Sequence, residues 1–433
     1  MSQVPSSALI DKCVHCGFCL PTCPTYMLWG EEMDSPRGRI YLMKAELEGR
    51  APIDESFVRH IDACLGCLNC VTACPSGVQY APLIERTRAR IEEKYTRPPG
   101  DRLFRSLLLS LVPYPNRMRV AMLPLAIFGP LVRAFASSAV GRMLPERIRA
   151  ALALSPPVSL GTMFSSVAEQ TPAAGTVRQK VAVLTGCVQR LAFHEVNEAT
   201  VRVLAAEGCS VSAPSAQGCC GALALHAGNV EQARALARHN IEVFERDGAE
   251  RIVINAAGCG SAMKEYGDLF ADDPQWASRA AALSARVRDV SEVLVELGEP
   301  RATRKPIAAR VAYHDACHLA HGQGVRAQPR ALLQAIPGVE LVSPAEGEIC
   351  CGSAGIYNLV QPEPAAQLGA RKAKNIAATS PDLIATANPG CILQIAAAGR
   401  ELGHDWPIFH PVQLIDASIR GVDPRGERER PRG

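Results

Sequence analysis

The sequence has 433 residues, a formal net charge of +3, and 48% hydrophobic and 21% charged residues. This length allows roughly two to four domains, each with its own core. The near-neutral charge and the 5% aromatic content argue against a nucleic-acid partner, because they offer neither a basic nor a base-stacking surface. Residues 1–12 lack an apolar run behind a positive start, so we expect no secretory signal and a reducing, cytoplasmic setting for the 17 cysteines.

Two matching cysteine runs occupy residues 13–24 and 64–75. Each reads C-x2-C-x2-C-x3-C-P, the bacterial ferredoxin pattern for [4Fe–4S] clusters. In this pattern the first three cysteines of a run surround one cluster, and the fourth serves the other. Structural zinc would leave a third cysteine of each run surplus, and disulfides need an oxidising compartment. The sequence therefore predicts two [4Fe–4S] clusters, one held by Cys13, Cys16, Cys19 and Cys74, and one held by Cys64, Cys67, Cys70 and Cys23.

The stretch between the two runs predicts a helix. Ser35 before Pro36 is typical of an N-cap followed by proline at the first helical position. Residues 1–96 are therefore expected to form a mostly helical two-cluster ferredoxin domain. Arg37 and Arg39 have two open interpretations: they raise a cluster's reduction potential, or they are solvated charges near the helix start.

Residues 97–179 form a basic and apolar helical linker. Asp101 and Glu146 are the acids of residues 97–149, against nine arginines: Arg97, Arg102, Arg105, Arg117, Arg119, Arg133, Arg142, Arg147 and Arg149. The uncharged run from Val120 to Val132 is too short to span a bilayer. This composition suits an anionic membrane surface or a partner protein, or a helix packed on the chain's own body. Residues 155–180, with Pro156-Pro157 and Pro172, are interpreted as a linker.

From about residue 180 the chain repeats itself, which predicts an internal duplication. Corresponding cysteines are 130 to 132 positions apart, and both copies contain a Cys-Cys-Gly sequence. The first set is Cys187, Cys219, Cys220 and Cys259, and the second is Cys317, Cys350, Cys351 and Cys391. The repeats define modules at residues 180–300 and 301–421, followed by a polar tail at 422–433.

Each module alternates strand-like and helix-like segments, which predicts a parallel sheet with crossover helices. The predicted strands include 181–184, 209–213 and 251–255 in the first module, and 310–313 and 383–387 in the second. Loops after parallel strands meet at one edge, so the four cysteines of a module are expected to converge there. Such a set could hold a further cluster or zinc, or act as redox-active thiols. Cys209 has no counterpart and is expected in the core, and four nearby histidines are interpreted as ordinary: His194, His314, His318 and His321.

With these parts together, the chain resembles the iron–sulfur subunits of glycolate oxidase, a bacterial glycolate dehydrogenase complex. The resemblance covers nearly the whole chain and includes the matching stretches 13–19, 23–26, 35–41, 74–78, 257–260, 264–267 and 350–355. The order of parts is also similar to subunits of anaerobic glycerol-3-phosphate dehydrogenase and heterodisulfide reductase. In the heterodisulfide reductase relatives a module ends in Cys-x-x-Cys, whereas Ala262 and Gln394 stand at the corresponding positions here. That departure puts a disulfide-cleaving site in doubt.

The resemblance implies an electron-transfer subunit rather than the substrate-oxidising one. The sequence has no Gly-x-Gly-x-x-Gly fingerprint after a strand and no phosphate loop, so no catalytic residue is assigned. A partner glycolate oxidase subunit would carry FAD, and electrons would pass to a quinone or another membrane acceptor on the inner face of the cytoplasmic membrane. The alternatives are a subunit of another flavin dehydrogenase, for lactate or glycerol-3-phosphate, and a thiol/disulfide redox subunit. A third alternative is a docking subunit whose clusters have only a structural role.

Overall fold

The structure is a computed structural model that describes residues 5–138, 141–156 and 158–428. The side chains of Arg133 and Arg142 lie outside the described part, as do residues 429–433 of the polar tail, which follow the helix Pro424–Arg428. An α+β architecture with a helical N-terminal domain and two repeated α/β modules is confirmed. The boundaries between the predicted domains stay predictions.

The N-terminal domain consists of short helices that surround the two cysteine loops. Ser35 caps the third helix as predicted, because its hydroxyl accepts from the Gly38 amide at 3.0 Å and Pro36 follows it. Ile40 and Met43 of that helix pack against Leu83 and Ile84 in one hydrophobic core. The helices are α1 (Ser7–Ile10), α2 (Pro24–Trp29), α3 (Pro36–Leu47), α4 (Glu55–Asp62), α5 (Asn69–Thr72) and α6 (Tyr80–Lys94).

The basic segment forms α7 (Pro99–Leu111), α8 (Pro115–Ser137), α9 (Glu146–Ala153) and α10 (Leu160–Phe164). Helix α8 is kinked at Phe128 (φ −109°, ψ 15°), because Pro130 has no amide hydrogen to donate to the preceding turn. Among the described residues, none of the helices combines the length and the hydropathy that crossing a bilayer requires.

Several arginines of this segment pair with acids, so its surplus of positive charge is smaller than the sequence predicts. Arg97 is 6% exposed and lies 2.6 Å from Asp62, an acid of α4. Arg105 also contacts Asp62, at 3.0 Å, and Arg147 pairs with Asp101 at 3.1 Å. The prediction missed the pairs with Asp62 because it weighed charges only within the segment. Arg97 and Arg105 tie the segment to the N-terminal domain.

Each module contains one parallel sheet, and the two sheets share a strand order. The first sheet, in the order β1-β3-β2-β4-β5, contains β1 (Gln170–Thr171), β2 (Gln179–Val183), β3 (Cys209–Ser212), β4 (Arg251–Ile254) and β5 (Val287–Asp289). The second sheet, in the order β7-β6-β8-β9, contains β6 (Ala309–Tyr313), β7 (Val339–Val342), β8 (Leu383–Ala385) and β9 (Ile408–Phe409). The four parallel strands of each sheet correspond one to one, as a duplication requires.

One pairing was not predicted. Strand β1 falls inside the expected linker and adds to the first sheet as an antiparallel edge strand, with Thr171 opposite Val211. Residues 155–180 therefore contain α10 and β1 as well as irregular chain. A two-residue strand carries too few residues for an alternation pattern to show.

The first module contains α11 (Val188–Ala192), α12 (His194–Ala206), α13 (Ala222–His226), α14 (Val230–Asp247), α15 (Ala257–Lys264), α16 (Tyr266–Leu269), α17 (Ala277–Arg286) and α18 (Val290–Glu296). The second contains a π-helical turn (His318–Gly322), α19 (Ala327–Gln334), α20 (Tyr357–Val360), α21 (Pro362–Ala377), α22 (Pro389–Glu401) and α23 (Pro411–Arg420). The helix α24 (Pro424–Arg428) follows.

The two modules share one hydrophobic core. Helix α12 of the first module packs on α23 of the second, and α18 of the first packs on α19 of the second. The two contacts are equivalent, because α12 corresponds to α19 and α18 corresponds to α23 in the repeat. The shared core includes Val183 and Val293 of the first module and Val311 and Leu414 of the second. Cys209 is fully buried in it, as predicted.

Candidate functional site

The two cysteine loops turn in the same way. Residues at equivalent places of the two runs have left-handed backbone conformations: His15 (φ 53°) and Gly17 in the first loop, and Gly66 and Leu68 (φ 62°) in the second. The left-handed region is costly for residues other than glycine, and such strain is concentrated at functional sites. The fourth cysteine of the first run, Cys23, caps α2 in front of Pro24.

The structure groups the eight ferredoxin-type cysteines around two small adjoining cavities. The first cavity is lined by Cys13, Cys16, Cys19, Cys70 and Cys74. The second is lined by Cys23, Cys64, Cys67 and Cys70. Each predicted ligand set therefore surrounds one cavity, and Cys70 lies at the border between them. The assignment of individual ligands stays a prediction.

The donor chemistry of both cavities fits a [4Fe–4S] cluster. All 17 cysteines lie in the described ranges and none is in a disulfide. Burial raises the pKa of the Cys67 and Cys70 thiols well above the usual value, so neither would ionise without a strong cation beside it. Four sulfur ligands around an enclosed space, with bound iron supplying that charge, match the requirement of a cubane.

Arg39 lies behind the second cavity and is not a solvated charge. It is 1% exposed, and a guanidinium nitrogen lies 4.0 Å from the sulfur of Cys23. The same guanidinium donates to the Asp34 carboxylate at 3.2 Å, and this carboxylate also lies 3.0 Å from His60. Arg37, in contrast, pairs with Glu32 at 2.7 Å nearer the surface and donates to the carbonyl of His15. The solvated interpretation is wrong for Arg39.

The cysteines of the second module converge as predicted. The sulfurs of Cys317 and Cys350 are 4.0 Å apart, and Cys351 and Cys391 lie in a buried group with His314, whose ligand atoms are all within 4.8 Å of one another. The Cys-Cys-Gly turn needs its glycine: Gly352 has φ 93°, and a side chain there would meet the Ala365 carbonyl at 2.6 Å. This arrangement of the two sulfurs of Cys351 and Cys391 and the imidazole of His314 could hold a metal.

Two histidines of the second module belong to this group, which the sequence interpretation missed. The Nδ1 atom of His318 lies 3.6 Å from the sulfur of Cys317. Hydrogen bonding with Cys350, together with His318, lowers the pKa of Cys317. Hydrogen bonding with Cys350 and Cys391, followed by His314, lowers the pKa of Cys351. The repeat itself held the signal, because an offset of 130 places apolar Leu184 and Val188 opposite His314 and His318.

The first module brings its four cysteines together in a different environment. Hydrogen bonding to Cys219 and burial raise the pKa of Cys187, and the pKa values of Cys219 and Cys220 are also raised. These three thiols pack in a hydrophobic core, with Cys259 at its edge. His194, which is near this set in sequence, pairs with Glu198 at 3.2 Å, as an ordinary histidine would. The first module therefore lacks the imidazoles that favour thiolates in the second.

The second module adjoins the ferredoxin-type cavities directly. Cys67 belongs to the same buried cluster as Cys317 and Cys350, together with Leu65 and Tyr357. The side chains of His321, in the π-helical turn, and Thr72 are also hydrogen-bonded, with 3.0 Å between Nδ1 and Oγ1. A buried and continuous set of sulfurs thus runs from the N-terminal domain into the second module.

Comparisons with known proteins agree with this organisation. A model of the 4Fe-4S dicluster domain matches residues 9–78, and a model named Cysteine-rich domain matches residues 181–264 and 311–396. A probable glycolate oxidase iron-sulfur subunit of Bacillus subtilis is 39% identical over 391 residues, which cover 89% of this chain and 88% of that protein. The glycolate oxidase iron-sulfur subunit of Escherichia coli is 36% identical over 421 residues, 96% of this chain and 95% of that protein.

The chain belongs to the family of glycolate oxidase iron–sulfur subunits. A more distant relative, the lactate utilization protein A of an Exiguobacterium strain, is 30% identical over 240 residues, 55% of this chain and 98% of that protein. Proteins of this second group thus match about half of the chain. In this iron–sulfur subunit the dicluster domain and the two Cys-rich modules form one connected body.

Proposed function

We propose that this iron–sulfur subunit receives electrons from a flavin-containing partner that oxidises glycolate or a related 2-hydroxy acid, and passes them to a membrane acceptor. The observation that carries the proposal is the succession of cysteines from the two adjoining cavities to Cys317 and Cys350, which pack with Cys67 in one buried cluster. Bound clusters would supply one-electron redox chemistry, which the chain's own side chains lack. The chain holds and insulates the clusters, and the partner handles the organic substrate.

The proposed ligand sets are those that the spacing predicts. Cys13, Cys16, Cys19 and Cys74 would hold the cluster nearer the surface, where Cys16 is exposed. Cys64, Cys67, Cys70 and Cys23 would hold the inner one, where Cys23, Cys64 and Cys67 are buried. The difference in exposure favours entry of electrons at the outer set and exit from the inner set.

A further cluster, if the modules hold one, belongs to the second module. Its four cysteines have His314 and His318 beside them, whereas the first set has apolar neighbours. Gln394, which replaces the last cysteine of the Cys-x-x-Cys pattern, is held by Asn358 at 3.0 Å and donates to the carbonyl of Ala365. Any such site would therefore use Cys317, Cys350, Cys351 and Cys391.

Contact with an anionic lipid surface would bring the subunit to its acceptor. Val120, Ile127, Leu131 and Phe135 recur at helical spacing on one side of α8, and each is between 47% and 73% exposed. Exposed arginines on α7, α8 and α9 flank this stripe: Arg102, Arg117 and Arg149. An apolar stripe beside positive charge is typical of helices that lie in a membrane interface.

Anaerobic purification tests the division of labour. The chain purified without its partner is expected to contain about eight iron and about eight sulfide ions and to leave glycolate unoxidised. After addition of the flavoprotein and glycolate, the clusters should be reduced within the turnover time. Glycolate oxidation by the isolated chain, or zinc in place of iron, would contradict the proposal.

A thiol/disulfide redox subunit is the second candidate. The lowered pKa values of Cys317 and Cys351 favour it, because thiolates are the reactive form. In that case Cys351→Ser would abolish turnover of a disulfide substrate while the ferredoxin-type clusters keep their spectra. Absence of disulfide turnover in the unmodified chain would exclude this candidate.

A further inference from the structure

A separate cavity of about 270 Å³ lies where the N-terminal domain and both modules meet. Its walls come from α6, from α13 and α16 of the first module, and from the π-helical turn of the second. Much of the lining is apolar, including Leu68, Val71, Leu225 and Leu269. The volume is close to the lower end of the range, roughly 300–1,000 Å³, of small-molecule sites, so it suits a head group rather than a long ligand.

This cavity is separated by single side chains from the cavity of Cys23, Cys64, Cys67 and Cys70, whose sulfurs we call the inner sulfur set. Tyr80 and Leu68 line both this cavity and the one formed by Cys23, Cys64, Cys67 and Cys70. The hydroxyl of Tyr80 lies 3.8 Å from the sulfur of Cys64. A molecule in the cavity would therefore lie within short-range electron-transfer distance of the inner cluster.

Two carboxyl groups in the cavity wall hold their protons to a higher pH than ordinary glutamates do. Burial raises the pKa of Glu85 to about 7, and burial together with repulsion from Glu85 raises that of Glu265 to about 8. Glu85 also contacts Nδ1 of His226, at 3.1 Å. The other titratable and charged groups that face the two carboxyls are Asp268, Arg86, Arg88, His318 and His321.

We propose that this cavity is the site of a quinone-class acceptor, with the carboxyl groups of Glu265 and Glu85 as its proton donors. This inference rests on the proposed electron-transfer function. The acceptor takes two electrons, one at a time, from the reduced chain by way of the inner sulfur set, and one proton from each carboxyl group. Its two carbonyl groups become hydroxyl groups, and the two carboxylates regain their protons from water.

The lining favours this class of acceptor over nucleotide cofactors. Asp268 also faces the cavity, and its carboxylate would repel the phosphates that a nucleotide carries. An uncharged ring meets apolar walls and neutral acids, both of which it tolerates. A neutral carboxyl group close to a reducible carbonyl is also the arrangement that general acid catalysis needs.

This cavity adjoins a larger one. Ala89 and Val230 also line a second, larger cavity of about 500 Å³, which reaches Ser106 and Leu109 of α7 and Tyr114 at the start of α8. The larger cavity is lined mainly by polar and charged residues, including Glu92, Arg102 and Glu231. It would therefore give water access to the carboxyl groups of the inner cavity.

The test uses the full-length chain with its clusters, reduced with dithionite and freed of excess reductant. Reoxidation of the clusters is followed by stopped-flow absorbance after mixing with decylubiquinone or with ferricyanide, which accepts electrons without protons. Glu265→Gln is expected to slow reoxidation by the quinone about 10²-fold, the lower range for loss of a general acid. Leu225→Trp, which fills the cavity, should slow it by a similar factor, and both variants should keep the ferricyanide rate. Glu242→Gln is the control, since Glu242 pairs with Arg246 and does not line the cavity.

Unchanged quinone rates in Glu265→Gln, Glu85→Gln and Leu225→Trp would overturn the assignment of the cavity. Equal slowing with ferricyanide would also overturn it, because the variants would then act on the clusters themselves. Failure of the proposed function looks different: the flavoprotein would not reduce the clusters of the unmodified chain. Because dithionite replaces the partner in the cavity test, the two failures are separable.

Discussion

A guanidinium nitrogen of Arg39 lies 4.0 Å from the sulfur of Cys23, and Arg39 is 1% exposed. This buried cation also pairs with Asp34 and donates to the backbone carbonyl of His60. The neighbouring Cys64, Tyr80, Cys23 and Asp34 raise the pKa of Arg39 although burial alone would lower it. A fixed positive charge at this distance stabilises the reduced, more negative state of the proposed inner cluster.

Arg39→Gln is expected to make the reduction potential of the inner cluster more negative. It should also destabilise the chain by about 3–5 kcal/mol, because Asp34 is left buried without its cationic partner. Redox titration followed by electron paramagnetic resonance and chemical denaturation measure the two effects. Arg37→Gln is the matched control, since Arg37 pairs with Glu32 nearer the surface. An unchanged potential in Arg39→Gln would refute the electrostatic role.

Cys23→Ser distinguishes crossed from uncrossed ligand sets. With crossed sets the variant loses the cluster that also uses Cys64, so about half of the iron and the signal of the inner cluster disappear. The outer cluster, held by Cys13 and its neighbours, should keep its spectrum. Cys209→Ser serves as the control, because Cys209 lies in the module core away from both cavities. Loss of the outer signal in Cys23→Ser would show that each run binds its own cluster.

The two modules are expected to respond differently to loss of a cysteine. Cys351→Ala removes a thiol next to His314, whereas Cys220→Ala removes the equivalent thiol in the hydrophobic core of the first module. Any iron above about eight atoms per chain should disappear in Cys351→Ala and persist in Cys220→Ala. Metal analysis of the anaerobically purified variants measures this. Equal losses would mean that the modules are chemically equivalent.

The carboxyl of Glu265 predicts a pH dependence of stability. Burial raises its pKa in the folded chain to about 8, above the value of about 4.3 expected for an unfolded chain. The folded state therefore binds an extra proton between these two values, so this contribution to stability is full below about pH 4 and is lost as the pH rises through about 8. In Glu265→Gln the melting temperature should fall less between pH 5 and pH 8.5 than in the unmodified chain. Parallel curves for the two proteins would contradict the raised pKa.

The apolar stripe of α8 predicts association with lipid. Val120→Asp combined with Leu131→Asp should abolish co-sedimentation with anionic vesicles, since both side chains are about 70% exposed and would enter the interface. Val177→Asp is the control, because Val177 is 57% exposed but lies outside α8. Vesicle binding that survives the double substitution would exclude this helix as the lipid-binding surface.

The sequence was informative where one local pattern decides the structure. The Ser35-Pro36 cap, the Cys-Cys-Gly repeats and the strand 310–313, which forms β6 (Ala309–Tyr313), depend on neighbours a few residues away. The features that were missed join distant residues. Arg97 meets Asp62 across 35 positions, and His314 becomes notable only beside Cys351 and Cys391. No spacing within one segment reports such contacts.

The cavity beside the inner sulfur set could not be predicted for the same reason. Glu85, Glu265 and His321 come from the N-terminal domain, the first module and the second module. Each alone is an ordinary charged or polar residue of a helix or turn. Their proximity follows from how three parts of the chain pack, and the raised pKa values of the two glutamates follow from that packing.

The hydrophobic core that the two modules share determines which fragments of the chain can be expressed. A fragment that stops near residue 300 would present the apolar side of α12 and α18 to water, without α23 and α19 to cover it. Single repeats should therefore aggregate during expression, while a fragment that keeps both should remain dispersed. The duplicated halves behave as one inseparable folding unit, despite their origin as copies.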